Sequence, residues 1–308
     1  MASPPGGWGG FHRRRFFSVS LCLCGCFFFS CGKPPPAPPV VIKPPRIVEP
    51  PPELPALADL AFPEWGETEE ETFLPLPKPA AVGPLRWNFG PGERFGYEFS
   101  QRHHARMESR CGAKSGQFQA DERSRGTFEF IAGKDRTALV YLKFHTEESS
   151  RDGVAAPREA IEKAPYSKYE AIAKEDGTAE IMKPPGRADA AFFFDALLAL
   201  GEGERKLKDG WVRTRMAGSG KVERFDCIRL ESEFEFAPTA APAATVQGGT
   251  LQRGRTVAWF DPLGRRFIRA SALVVTSTRT RAQDKDGAWI VTLVDSSTLL
   301  RARLLDHP

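Results

Sequence analysis

The chain has 308 residues, of which 41% are hydrophobic and 27% charged, an ordinary balance for a protein that buries a core. Its formal net charge of +4 includes Arg13, Arg14 and Arg15, set in a stretch of thirty residues without an acid. What remains is a mildly basic body without the concentrated basic stripe that phosphate contacts need, so nucleic acid is excluded as a partner.

The first thirty residues have the three parts of a secretory signal: a polar leader, the arginines, and the apolar run FFSVSLCLCGCFFFS over 16–30. A spanning helix needs about 20 apolar residues, so this run suits brief insertion followed by cleavage. It ends in Phe28-Phe29-Ser30-Cys31-Gly32. Those residues resemble the lipobox of bacterial lipoproteins: Ser30 and Cys31 match, and Phe28 and Phe29 depart from the pattern. Leu23-Cys24-Gly25-Cys26 is the alternative box, with a shorter apolar core before it. The resemblance implies cleavage before Cys31 (alternatively Cys26), a lipid on that cysteine, and a membrane as the first partner. Gly32, where enteric lipoproteins kept at the inner membrane carry Asp, implies the outer membrane or a periplasm-facing surface. The triple arginine followed by Phe16-Phe17 also looks like a twin-arginine export signal.

Proline is dense after Cys31, and residues 31–83 carry four bases (Lys33, Lys43, Arg46, Lys78) against eight acids. Each proline lacks an N–H and fixes φ, so no helix or ladder is expected there. The segment reads as an acidic, semi-rigid, largely disordered leash, extended at about 3.1 Å per residue. A short apolar patch at 57–62 interrupts it.

From residue 84 onward strand signals dominate. Residues 94–101 alternate, with Phe95, Tyr97 and Phe99 on one face; Phe128 and Phe130 flank Glu129; 138–145 alternate again. Asp176-Gly177 marks a hairpin, because glycine accepts φ > 0. One helix is expected over 188–200, introduced by Pro184-Pro185-Gly186 and stopped at Gly201, with Phe193, Leu197 and Leu200 on one face. Strands are expected over 211–216 and 221–236, a loop over 237–249, and a closing meander of 256–261, 265–279 and 288–305 with turns at 262–264 and 286–287. Long antiparallel strands coil. The expected fold is therefore mainly β (α+β): a strongly curved antiparallel sheet, β-sandwich-like layer or incomplete barrel, with one helix covering a face. In strand order this resembles the large β-rich lipoproteins of unknown function and the lipoprotein-carrier fold, a half-barrel that holds acyl chains under a helical lid.

Four of the six cysteines lie in the N-terminal region, leaving Cys111 and Cys227 in the body. In an oxidising compartment they are either a disulfide, stabilising by about 4–5 kcal/mol across so long a loop, or two separate thiols. No Cys-x-x-Cys or paired-histidine spacing points to a metal, and no cofactor signature is present. His103 and His104 are adjacent, so on a strand they face opposite sides; His145 is a third candidate. Glu147-Glu148, Asp284 and Asp286 sit beside turn signals. Arg265, Arg266, Arg269, Arg279, Arg281, Arg301 and Arg303 fall where neighbouring strands would align them in a basic strip facing anionic headgroups or wall polymers. The expected role is a non-enzymatic envelope domain that binds a protein partner or an apolar ligand. An envelope hydrolase would need His103 or His145 to meet a hydroxyl or an acid in a cleft.

Overall fold

The computed structural model describes residues 50–64, 85–112, 114–133, 135–183, 200–207, 209–237, 246–284 and 287–305. The strands are β1 (Arg94–Cys111), β2 (Lys114–Ala132), β3 (Thr137–Arg151), β4 (Val154–Ala155), β5 (Ser167–Lys174), β6 (Ala179–Lys183), β7 (Gly203–Leu207), β8 (Gly210–Val222), β9 (Phe225–Phe236), β10 (Val246–Asp261), β11 (Arg266–Gln283) and β12 (Trp289–Leu304). They form one sheet in the order β6-β5-β3-β2-β1-β12-β11-β10-β9-β8-β7, with β4 paired to β3. Every pairing is antiparallel. The topology is two meanders: the chain walks outward from β1 to one edge and returns from the other edge to β12, which pairs with β1 in the middle.

The sheet is curved and open. Adjacent residues of the segment before β1 reach both of its wings: Trp87 N–H donates to the Glu175 carbonyl beside β5 (3.0 Å), and Asn88 N–H to the Arg265 carbonyl beside β11 (3.0 Å). Only a sheet bent around this segment brings those turns to neighbouring residues. Register shifts at Arg123/Ser124, Glu170/Ala171, Met216/Gly218 and Trp259/Phe260 add local twist. The two edges of the sheet approach where Arg205 of β7 donates to the Gly177 carbonyl in the β5–β6 turn (3.4 Å).

The core fills the concave face. Trp87 stacks on Phe130 at 5.0 Å between ring centroids and meets Phe260 and Phe267 edge-on. Tyr97 stacks on Phe128 and Phe267 at 4.5 and 4.2 Å, and its hydroxyl donates to the Phe267 carbonyl. Burial holds that phenol neutral by pushing its pKa well above the ordinary tyrosine value. A smaller cluster of Val222, Cys227, Trp259 and Ile268 lies on the opposite face.

Several expectations need correction. The stretch 221–236 is two strands: Glu223, at φ 56°, turns the chain between β8 and β9. The expected loop 237–249 ends early, because β10 starts at Val246. A short helix absent from the sequence reading, α1 (Arg158–Glu162), buries no residue. Residues 188–199 of the expected covering helix lie outside the described residues; Leu200 is described, and it is buried in the concave core.

Candidate functional site

A groove of about 660 Å³ lies beside β3. The register shift opposite Arg123/Ser124 loops Glu147 out of the ladder, and the Asp152-Gly153 turn, both residues at positive φ, folds β4 back. Pro157 then starts α1 against β3. His145, Ile161, Ala164 and Tyr166 line the groove, and the Tyr166 ring is 52% exposed. His145 packs on that ring at 5.2 Å, and the Lys143 ammonium sits 4.3 Å from its centroid. The groove's carboxylates already have cations: Glu147 with Arg125 at 3.7 Å, Glu148 with Arg123 at 3.4 Å, and Glu162 with Arg158 at 2.8 Å. This arrangement offers an aromatic shelf with compensated charge.

His103 faces the concave side, where its Nδ1 lies 2.9 Å from Thr298 Oγ1. Glu122 occupies the position directly opposite on β2 and accepts from Ser124 and Thr146 at 3.0 and 2.9 Å. A histidine thus meets a hydroxyl, but Thr298 is only 1% exposed, so no reacting group reaches it from solvent. Pleat alternation sends His104 to the other face, where its Nδ1 lies 2.9 Å from Asp121 Oδ1. Asp284 accepts from the Ala288 N–H and shapes the β11–β12 turn. Asp286 and His307 lie outside the described residues.

Four arginines of the expected strip are engaged by neighbouring side chains. Arg269 and Arg303 stand opposite each other on β11 and β12 and share Glu223. Arg266 lies over Phe95 and Phe225. Arg279 is nearly buried and bidentate on Asp295 at 2.7 and 3.2 Å. Arg269 and Arg303 tolerate each other across the ladder because the Glu223 carboxylate lies between them and offsets both charges.

Of the two alternatives for Cys111 and Cys227, the structure has two separate free thiols. Cys111 is level with Ile290, Ala282 and Val246 in the ladders, whereas Cys227 precedes Ile228, which is level with Phe260. The run from Val246 to Phe260 alone is roughly 45 Å of strand, far beyond the ~7 Å between Cα atoms that a bridge tolerates. Burial, reinforced by the Asp261 carboxylate, pushes the Cys227 thiol up to about 12. Cys31 and Cys26 lie outside the described residues.

The sequence reading underrated residues 50–64. They lie along the outer face of β10 and β11. Arg281 donates to the Pro52 carbonyl, Ala58 N–H to Ser277 Oγ at 2.9 Å, and Arg253 to the Leu60 carbonyl at 2.6 Å. Arg253 also pairs with Asp59, and the Phe62 ring sits 5.9 and 4.5 Å from the Arg253 and Arg255 guanidiniums. Leu57 packs over Gly249. The signal was present as the patch 57–62, an apolar run with one acid inside a proline tract.

No family model matches the chain, and no curated protein is similar to it in sequence. Among solved structures, a DUF1329 family protein from Desulfovibrio piger ATCC 29098 is a distant match, 10% identical. It covers 64% of this chain and 83% of that one at a TM-score of 0.16.

Proposed function

We propose that this chain is a lipid-anchored protein of the bacterial cell envelope whose β-body is a non-enzymatic binding or scaffold domain. The apolar run closed by Ser30-Cys31-Gly32 is the sequence basis for the anchor. The structural observation that supports it is where the leash lands. The proline-rich tract meets the body at residues 50–64, on the outer face of β10 and β11, away from the concave core. A body hung from that point keeps its groove and its sheet edges available to partners in the envelope.

Binding at the surface is favoured over carrying an apolar ligand inside, because Trp87, Phe89, Phe130 and Phe267 already occupy the apolar end of the concave face, and its other end is lined by hydroxyls. The test is the intact mass of wild-type and Cys31→Ala protein recovered from bacterial membranes. The expected wild-type mass is that of a diacylated or triacylated chain beginning at Cys31, with the variant left unprocessed. A chain beginning at Cys26 would move the anchor by one box. Any other start, or an unmodified full-length chain, would overturn the anchor.

A further inference from the structure

We infer that the outer face of β10 and β11 is a docking trough for extended, proline-containing peptides with a carboxylate three residues before an aromatic ring, and that residues 50–64 occupy it as a built-in competitor. This deepens the binding role proposed above by naming the partner's chemistry, and it is independent of the lipid.

Four observations carry it. The trough has a built floor: Val275 and Ser277 are buried on a face that strand alternation turns outward, the same face as Arg253, Arg255 and Arg281. Its three arginines flank the bound segment along its length, giving a positive rim that selects for Asp59 and for the electron-rich face of Phe62. Two of the contacts go to main-chain carbonyls, Pro52 and Leu60, which any extended peptide presents. Finally, none of residues 50–64 is buried, and none is in a helix or strand. The segment is therefore held by a few half-exposed contacts and no ladder, the kind of attachment that opens well below the global unfolding free energy.

A trough whose occupant is lightly held and recognised largely through its backbone is open to exchange. The intramolecular segment has the advantage of effective concentration. A partner must therefore either present a better-matched sequence or act when the segment is drawn away. Asp59 and Phe62 define the match: the carboxylate for Arg253, the ring between Arg253 and Arg255.

The experiment uses the full chain in detergent and a fluorescein-labelled peptide of residues 50–64, followed by anisotropy. Ala58→Pro removes the N–H given to Ser277, and adding Asp59→Lys sets a cation against Arg253. This double variant is expected to bind the peptide at least tenfold more tightly than wild type, and Arg253→Glu in the same background to lose that gain. Phe62→Ala, which leaves the backbone untouched, is expected to show a smaller gain. Circular dichroism and tryptophan fluorescence should match wild type throughout. Failure of both loosened variants to bind, retention of binding with Arg253→Glu, or equal binding by wild type would each overturn the proposal. Loss of folding in both variants would do so too, by making the segment part of the core structure. A wild-type dimer that dissociates in the double variant would replace the peptide partner with a second copy's segment. None of these outcomes bears on the mass measurement above.

Discussion

At one end of the sheet Trp87, Tyr97, Phe128, Phe130 and Phe267 stack into a single aromatic cluster on the concave face. At the other end the same long strands run on with little to pack. There the concave positions of β10, β11 and β12 carry Thr250, Thr276, Thr278 and Ser296, and residues 102–112 and 114–120 of β1 and β2 are at least partly exposed on both faces. Thr250 and Thr278 bond to each other at 3.1 Å, and Gln252 donates to Thr276 at 3.1 Å. The packed end is held by burial of large rings, each contributing several kcal/mol. The far end is held by ladders and paired hydroxyls whose net contribution is about 1 kcal/mol each. A strand's length is thus no guide to how much stability each part of it carries.

The contrast can be broken first at its strongest point. Trp87→Ala should cost about 3–5 kcal/mol, read as a lowered urea midpoint, since the ring is fully buried among four others. A loss below about 1 kcal/mol would show that the packed end does not carry the fold. The two body thiols give a second reading, one at each end. With its pKa raised to about 12 from 9.0, Cys227 should hold about a thousandfold less thiolate than an ordinary cysteine. Iodoacetamide at pH 8, mapped by peptide mass, should label half-exposed Cys111 long before Cys227. Equal rates would mean that the Cys227 cluster opens readily.

A third test sits in the β5–β6 turn of the packed end. Asp176 is held below its ordinary value of 3.8, first by the Thr178 N–H and then by the Thr178 hydroxyl and the charges of Lys174 and Arg205. A carboxyl whose pKa is lowered on folding stabilises above its unfolded pKa and loses that contribution as pH falls through the lower native value. Asp176→Ala should therefore cost about 1 kcal/mol at pH 7. The gap from wild type should close only below pH 3.8, and a gap that persisted at pH 2 would point to a cause other than the charge. The smallest effect belongs to the far end: Thr278→Val, which breaks one half-buried hydroxyl pair, should cost no more than about 1 kcal/mol.

Much of this contrast was legible along the chain. The alternation of Phe95, Tyr97 and Phe99 places them on the buried face of β1, and Asp176-Gly177 makes the turn that its φ of 83° requires. Other elements were hidden for physical reasons. Gly248 and Gly249 give the start of β10 the composition of a loop. In fact a Cβ on Gly248 would lie 2.1 Å from the Arg279 carbonyl of the neighbouring strand, so the close approach of β11 requires the glycine. β7, with the sequence GERKL, is an edge strand whose charges mask any alternation. His103 and Thr298 are 195 residues apart in sequence, so their meeting depends on β1 pairing with β12. The ladder registers likewise decide that Cys111 and Cys227 lie far apart along the strands.

Sequence by itself determined the local quantities: which stretches extend, which faces bury rings, where glycine permits a turn, and that a proline tract separates the apolar N-terminus from a β-rich body. Those follow from side-chain period and backbone freedom, which act over a few residues. Only the tertiary structure decided that two meanders join through β1 and β12, that the sheet bends around Trp87, and that residues 50–64 lie against Arg253, Arg255 and Arg281. Each of those depends on contacts between residues far apart in the chain. Their free energy appears only once the intervening segments have folded and closed the loops between them.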